Sequence, residues 1–230
     1  MSKTNLKSAF IAAFPHSIPV LASFSILGIT YGVLMQTKGY GIIWSVLMSS
    51  IAFCGSMQFV AITLLTAVFN PIQAFVLSLT VNARHLFYGL SMLEKYQGLG
   101  KIRGFLIFTL CDETFSICCT LEPPKGINPK YFYFAVSFLN YFYWIFGTFL
   151  GGVLGNIITF NTAGLDFALT ALFVVLFLEQ WKKSENRLPA IIGIACSIIG
   201  LMIGGKNSFI IPSMVIMLAA LTGGRKQLCY

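Results

Sequence analysis

Thr80-Val81-Asn82-Ala83-Arg84-His85-Leu86-Phe87 lies near the middle of an apolar stretch running from residue 72 to 93, and Cys111-Asp112-Glu113-Thr114 lies likewise within 104 to 121. A helix needs about 20 apolar residues to cross the hydrocarbon of a bilayer. An ionisable side chain at that depth costs roughly 2.5–3.5 kcal/mol on insertion-derived scales, so it faces protein or an aqueous cavity and marks a pathway. Arg84, His85, Asp112 and Glu113 therefore predict a polytopic all-α membrane protein with a polar route through it.

Composition supports this setting. Hydrophobic residues make up 57% of the chain and charged residues only 10%, against roughly 25% charged in soluble domains; the mean hydropathy is +0.84. The net charge of +8 is scattered through the short segments between apolar stretches, which argues against a nucleic-acid partner and for orientation in a membrane. The six cysteines form no Cys-x-x-Cys pair and have only two histidines beside them, so they read as small buried hydrophobes, with no metal or cofactor expected. No Gly-x-Ser-x-Gly, His-Glu-x-x-His or Walker-type motif occurs, which argues against an enzyme or a nucleotide-driven pump.

About 7–8 transmembrane helices are expected, near 18–36, 42–69, 72–93, 104–121, 131–155, 166–181, 188–204 and 207–224. Residues 1–14 read as an N-terminal interfacial segment, since Pro15, His16 and Pro19 interrupt any signal-peptide core, and 15–230 as a single transport domain. The second stretch is too long for one upright helix, and Cys54-Gly55-Ser56-Met57-Gln58 is where it is expected to break and free backbone groups toward a substrate. With eight spans and the N-terminus inside, nine Lys and Arg fall inside and five outside; two crossings by 42–69 make it six against eight, so the rule favours one crossing. That preference is weak, because the basic loop Lys95 to Arg103 then lies outside. Residues 15–94 and 104–181 are consistent with an inverted repeat, although no internal sequence match supports it.

Arg84 can present a forked guanidinium to a carboxylate. Asn82 and His85 share a helix face, and Arg84 joins them if the helix is irregular near Val81. Thr109, Asp112, Ser116 and Thr120 recur at helical spacing, with Glu113 beside them; such a stripe faces protein or water, where either acid can bind an ammonium or carry a proton. The competing reading makes Arg84 and the acids a structural pair between helices. Gly28-x-x-x-Gly32 and Gly147-x-x-x-Gly151-x-x-x-Gly155 carry the spacing of close helix packing. Asp166, before the apolar run from Phe167, reads as a helix N-cap.

Phe53-Cys54-Gly55-Ser56-Met57-Gln58-Phe59, Asn82-Ala83-Arg84-His85-Leu86-Phe87-Tyr88, Asp112-Glu113-Thr114-Phe115 and Gly164-Leu165-Asp166-Phe167-Ala168, in that order, resemble the AzlC (azaleucine-resistance) family of branched-chain amino-acid permeases. Cys54 stands where such proteins usually have alanine, and Phe87 where leucine is common. The resemblance covers roughly residues 10–181. It implies export of branched-chain and related apolar amino acids across the cytoplasmic (inner) membrane of a bacterium, as the large subunit of a complex with a small AzlD-type membrane protein. A zwitterionic substrate needs a cation or helix N-terminus for its carboxylate, an acid or carbonyls for its ammonium, and an apolar pocket for its side chain. Arg84, Asp112 or Glu113, and the break from Gly55 to Gln58 are the residues expected to supply them. A non-transporting assembly subunit and a channel for small ions are the alternatives.

Overall fold

The structure, a computed structural model, describes residues 6–66, 68, 70–157, 174, 177, 178, 181, 187–208, 212, 213, 216, 217, 219 and 220. Two compact units divide the chain, Met1–Asp166 and Phe167–Tyr230. Every regular element among the described residues is an α-helix. The first unit holds α1 (Leu6–Thr37), α2 (Ile42–Ile51), α3 (Gly55–Thr66), α4 (Pro71–Met92), α5 (Ile102–Phe108), α6 (Asp112–Thr120) and α7 (Pro129–Ile157); the second holds α8 (Arg187–Ser208).

Two of these helices begin at the same sequence signal, Asn-Pro. Asn70 Oδ1 accepts the Ile72 N–H at 3.1 Å, and Asn128 Oδ1 accepts the Lys130 N–H at 3.0 Å. Each asparagine satisfies one of the donors a helix start leaves free, while the proline occupies the first helical position, where its missing N–H costs nothing. Among the described helices, α1 and α7 are long and apolar enough to span a bilayer.

These two pack side by side and run parallel, as the pairs along them climb together in number. Phe10 meets Phe134 and Phe138, Ser17 Oγ bonds Tyr143 OH at 3.1 Å, and Gln36 Nε2 reaches Asn156 Oδ1 at 3.3 Å. The glycine spacings read from the sequence meet each other here. A Cβ on Gly28 would stand 3.0 Å from the Gly147 carbonyl carbon, and one on Gly32 or Gly151 would collide with the opposing backbone. Only the absent side chains allow this approach.

The stretches 42–69 and 104–121 were each expected to cross the bundle once; both turn back instead. Tyr40, just before α2, donates its hydroxyl to the Leu65 carbonyl at 2.9 Å, and Gln58 on α3 bonds Ser49 on α2. A straight helix would part Tyr40 and Leu65 by roughly 37 Å at 1.5 Å per residue, so α2 and α3 form a hairpin. Its turn runs through Phe53 at φ 36, a region that a bulky L-residue enters only under constraint. Tyr141 OH donates to the Ser50 carbonyl at 2.8 Å, satisfying an acceptor that the end of α2 leaves free.

The second hairpin is α5–α6. Lys95, in the loop before α5, donates to the Cys118 and Cys119 carbonyls at 3.1 and 2.9 Å and pairs with Glu122 at 3.0 Å, so the last turn of α6 returns to the level at which α5 starts. The break separates Thr109 from Asp112, so the expected polar stripe belongs to two helices rather than one. The hairpins open at opposite ends of the α1–α7 pair. Gly152 faces Ile42 at the α2 end, whereas Ala9, Ala13, Phe132 and Tyr133 share a core with Met92, Tyr96, Leu106 and Cys118 at the other. Their tips meet halfway along α7, where Phe53 and Phe108 both lie against Tyr141, with ring centroids 5.0 and 6.0 Å from its own.

Polarity is distributed inside out. Ser17, Ser45, Ser49, Gln58, Thr109, Thr114, Ser137, Asn140 and Thr148 are buried, while Ile26, Ile43, Trp44, Ile51, Leu86 and Leu90 are exposed. An apolar exterior around a hydrogen-bonded interior suits a hydrocarbon solvent. In the second unit, α8 carries an apolar groove lined by Phe177, Ala190, Gly193, Ile194 and Met217, and its helical path changes direction at Gly205, φ 62.

Candidate functional site

Arg84 stands past the middle of α4 and reaches both hairpin tips. Its Nη1 lies 2.7 Å from Asp112 Oδ2, the first residue of α6, and its Nη2 donates to Ser56 Oγ, on the first turn of α3, at 2.8 Å. Two residues earlier on α4, Asn82 Oδ1 accepts the Cys54 thiol at 2.7 Å. The breaks thus bring Ser56, Asn82, Arg84 and Asp112 together from three helices. Arg84 and Asp112 keep 33% and 26% of their side-chain surface exposed, so the pair is accessible rather than sealed. Among the described residues, Arg84 Nε and Asp112 Oδ1 are buried atoms without a side-chain partner at hydrogen-bond geometry.

Helix ends add to the field here. The first N–H groups of α3 and α6 have no intrahelical acceptor, and a helix N-terminus carries roughly half a positive charge. Asp112 and Glu113 occupy the first turn of α6, where that partial charge favours carboxylates. Glu113 has the Cys111 thiol beside it and forms no ion pair among the described residues. His85 packs edge-on against Tyr88, centroids 5.7 Å apart, and Tyr88 stacks on Phe115 at 4.4 Å, so α4 and α6 touch through aromatic faces beside the charges.

The α3 break is held differently. Gln58 is 1% exposed; its Nε2 donates to Ser49 Oγ at 2.8 Å, its Oε1 accepts the Trp144 indole N–H at 2.8 Å, and Ser49 Oγ bonds Thr148 Oγ1 at 2.8 Å. With both ends of its amide engaged, Gln58 ties α2, α3 and α7 together. Gly55 opens α3 under the Trp144 ring, where a Cβ would stand 3.2 Å from Cη2. Asp166 lies outside the described residues.

Sequence reasoning singled out Trp144 on α7, as an apolar pocket residue, but not Asn140 and Thr148, the polar residues that support the site beside it. Asn140 Nδ2 donates to Thr114 Oγ1 at 3.1 Å and fixes the first turn of α6; Trp144 and Thr148 fix α3 and α2. The available signal was their spacing of four within a long aromatic helix, which puts Asn140, Trp144 and Thr148 on one face.

Residues 19–158 match the family described as AzlC protein. The chain is 47% identical to the branched-chain amino acid transport protein AzlC of Bacillus subtilis (strain 168), over 98% of this chain and 89% of that protein. It is 40% identical to an uncharacterized membrane protein of Helicobacter pylori (strain J99), over 96% of each. Identity to the inner membrane protein YgaZ of Escherichia coli (strain K12) is 25%, over 91% of this chain and 86% of that one. No solved structure matches.

Proposed function

Because this chain belongs to the AzlC protein family, we propose that it exports branched-chain amino acids such as valine and leucine across the cytoplasmic membrane of a bacterium, as the large subunit beside a small AzlD-type membrane protein. In this reading residues 15–230 act as one transport domain behind the interfacial segment 1–14. The supporting observation is the junction at Arg84, where a cation lies between two helix starts, bonded to Asp112 and Ser56, with Nε unbonded among the described residues. A substrate carboxylate satisfies Arg84, Ser56 and the free N–H groups of α3. Its ammonium finds Asp112 or Glu113, and its apolar side chain finds the aromatic surface of Tyr88 and Phe115. Asn82 and His85 complete the polar wall on α4, while Gly55 and Gln58 shape and hold the break.

The chemistry asked of the site is binding and release rather than bond making. Export by this route draws on the outward substrate gradient or on a proton carried by one of the acids. Proteoliposomes holding both proteins and labelled leucine test it. Arg84→Ala is expected to lower flux roughly 10- to 100-fold, the worth of a hydrogen bond to a charged group, with Asp112→Asn lower than wild type as well. Wild-type flux in both variants removes these residues from the pathway.

One observation favours a second reading. The charges already pair with each other at 2.7 Å, as they would in a non-transporting assembly subunit whose ion pair locks α4 to α6. That reading predicts that variants of Arg84 lose the complex itself and not merely its flux.

A further inference from the structure

We infer that α2–α3 and α5–α6 are re-entrant hairpins that enter the bilayer from opposite faces and meet at Arg84, with the α4–α5 loop on the cytoplasmic side. The inference rests on the membrane setting proposed above, but not on the substrate.

The geometry carries it in three steps. First, each hairpin returns to the level it left, as the bonds from Tyr40 to Leu65 and from Lys95 to Cys118 and Cys119 require. Second, α1 and α7 run parallel and α4 runs against them, from the α2–α3 opening at Pro71 to the α5–α6 base at Met92. The order is therefore span, hairpin, span, hairpin, span, with the two hairpins based on opposite faces. Third, non-helical backbone is tolerated at membrane depth only where protein or water covers it. Both tips meet that condition, Phe53 and Phe108 against Tyr141, and Ser56 and Asp112 on Arg84.

Orientation follows from charge. Through α7, the described Lys7, Lys95, Lys101, Arg103, Lys125 and Lys130 gather at the end where α1 starts, and Lys38 lies at the other. Six against one is a decisive bias under the positive-inside rule. Counting 42–69 and 104–121 as crossings had split the same residues between the faces and left Lys95 to Arg103 outside. Each hairpin opens to one face, so the Arg84 junction separates the two.

Accessibility to an impermeant maleimide tests this in cells expressing the full chain with its partner. Single cysteines replace the exposed Lys38, Val68, Gln97 and Lys125, and labelling of the native cysteines is subtracted. Lys38→Cys and Val68→Cys should label in intact cells, Gln97→Cys and Lys125→Cys only after permeabilisation. Val68→Cys protected while Lys38→Cys labels, or Gln97→Cys labelled from outside while Lys125→Cys is not, overturns the hairpins; the fully mirrored pattern overturns the orientation. A Tyr40→Cys, Leu65→Cys double variant, joined by a short bismaleimide, reports the first hairpin independently of the labelling. No cross-link in a chain that still transports contradicts it. Loss of flux in the Arg84 experiment leaves these outcomes untouched, so the two readings fail separately.

Discussion

The two hairpins have the same outline and opposite chemistry. The α2–α3 hairpin is bonded to the α1–α7 pair by neutral groups that are buried and mutually satisfied, Gln58, Ser49, Trp144 and Thr148. The α5–α6 hairpin shares an apolar core with α7 through Leu106 and Cys118, but its polar ties are fewer: one amide, Asn140 to Thr114, and two charged contacts, Asp112 at its tip and Lys95 at its base. A satisfied neutral network is lost only at high cost, whereas partly exposed ion pairs are worth little and exchange partners with solvent or ligand. The comparison separates a frame from an adjustable half: α2–α3 is bonded to hold its shape, and α5–α6 is the half that, under the proposed function, releases Arg84 to a substrate.

Variants break this contrast in a set order. Gln58→Ala should do most harm to the fold, since it leaves the Trp144 N–H without its buried acceptor, an orphaned group costing about 1–3 kcal/mol, and removes a donor to Ser49, which keeps its bond to Thr148. The thermal unfolding midpoint of the purified protein should fall by roughly 2–12 °C for a chain of this size. Asn140→Ala should cost less, about 1 kcal/mol, because the deletion removes an Oδ1 that has no partner along with the bond to Thr114. Lys95→Met should cost under about 1 kcal/mol, for its partner Glu122 is 76% exposed and the main loss is a cation at the C-terminus of α6. Asp112→Asn should move stability least while reducing leucine flux. A Gln58 variant as stable as wild type, or an Asp112 variant that fails to fold, reverses the assignment of frame and adjustable half.

Parts of this were legible in the residues. The ionisable groups singled out within the apolar stretches, Arg84 and Asp112, meet in the structure, and Gly55 among polar neighbours marked the first break within a few residues. The glycine spacings of α1 and α7 announced a close helix pair, which the structure forms. The return of each hairpin was not legible, because a straight broken helix and a folded one share the same periodicity, and only a long-range bond such as Tyr40 to Leu65 separates them. In 104–121 the length of the apolar run concealed the break, being about right for a single crossing. The weak charge balance was the one warning, since the inferred hairpin topology collects Lys95, Lys101 and Arg103 with Lys125 and Lys130.

Exchanging the charges at the junction tests the central claim most directly. In an Arg84→Asp, Asp112→Arg double variant the ion pair can reform, so the two hairpin tips stay joined and the chain should assemble with its partner as wild type does. The guanidinium, however, then sits on α6 rather than beside Ser56 and the start of α3, and leucine flux in proteoliposomes should stay roughly tenfold or more below wild type, the worth of the misplaced hydrogen bonds. Wild-type flux from the exchanged pair would contradict the account, since it would mean that Arg84 and Asp112 need only each other.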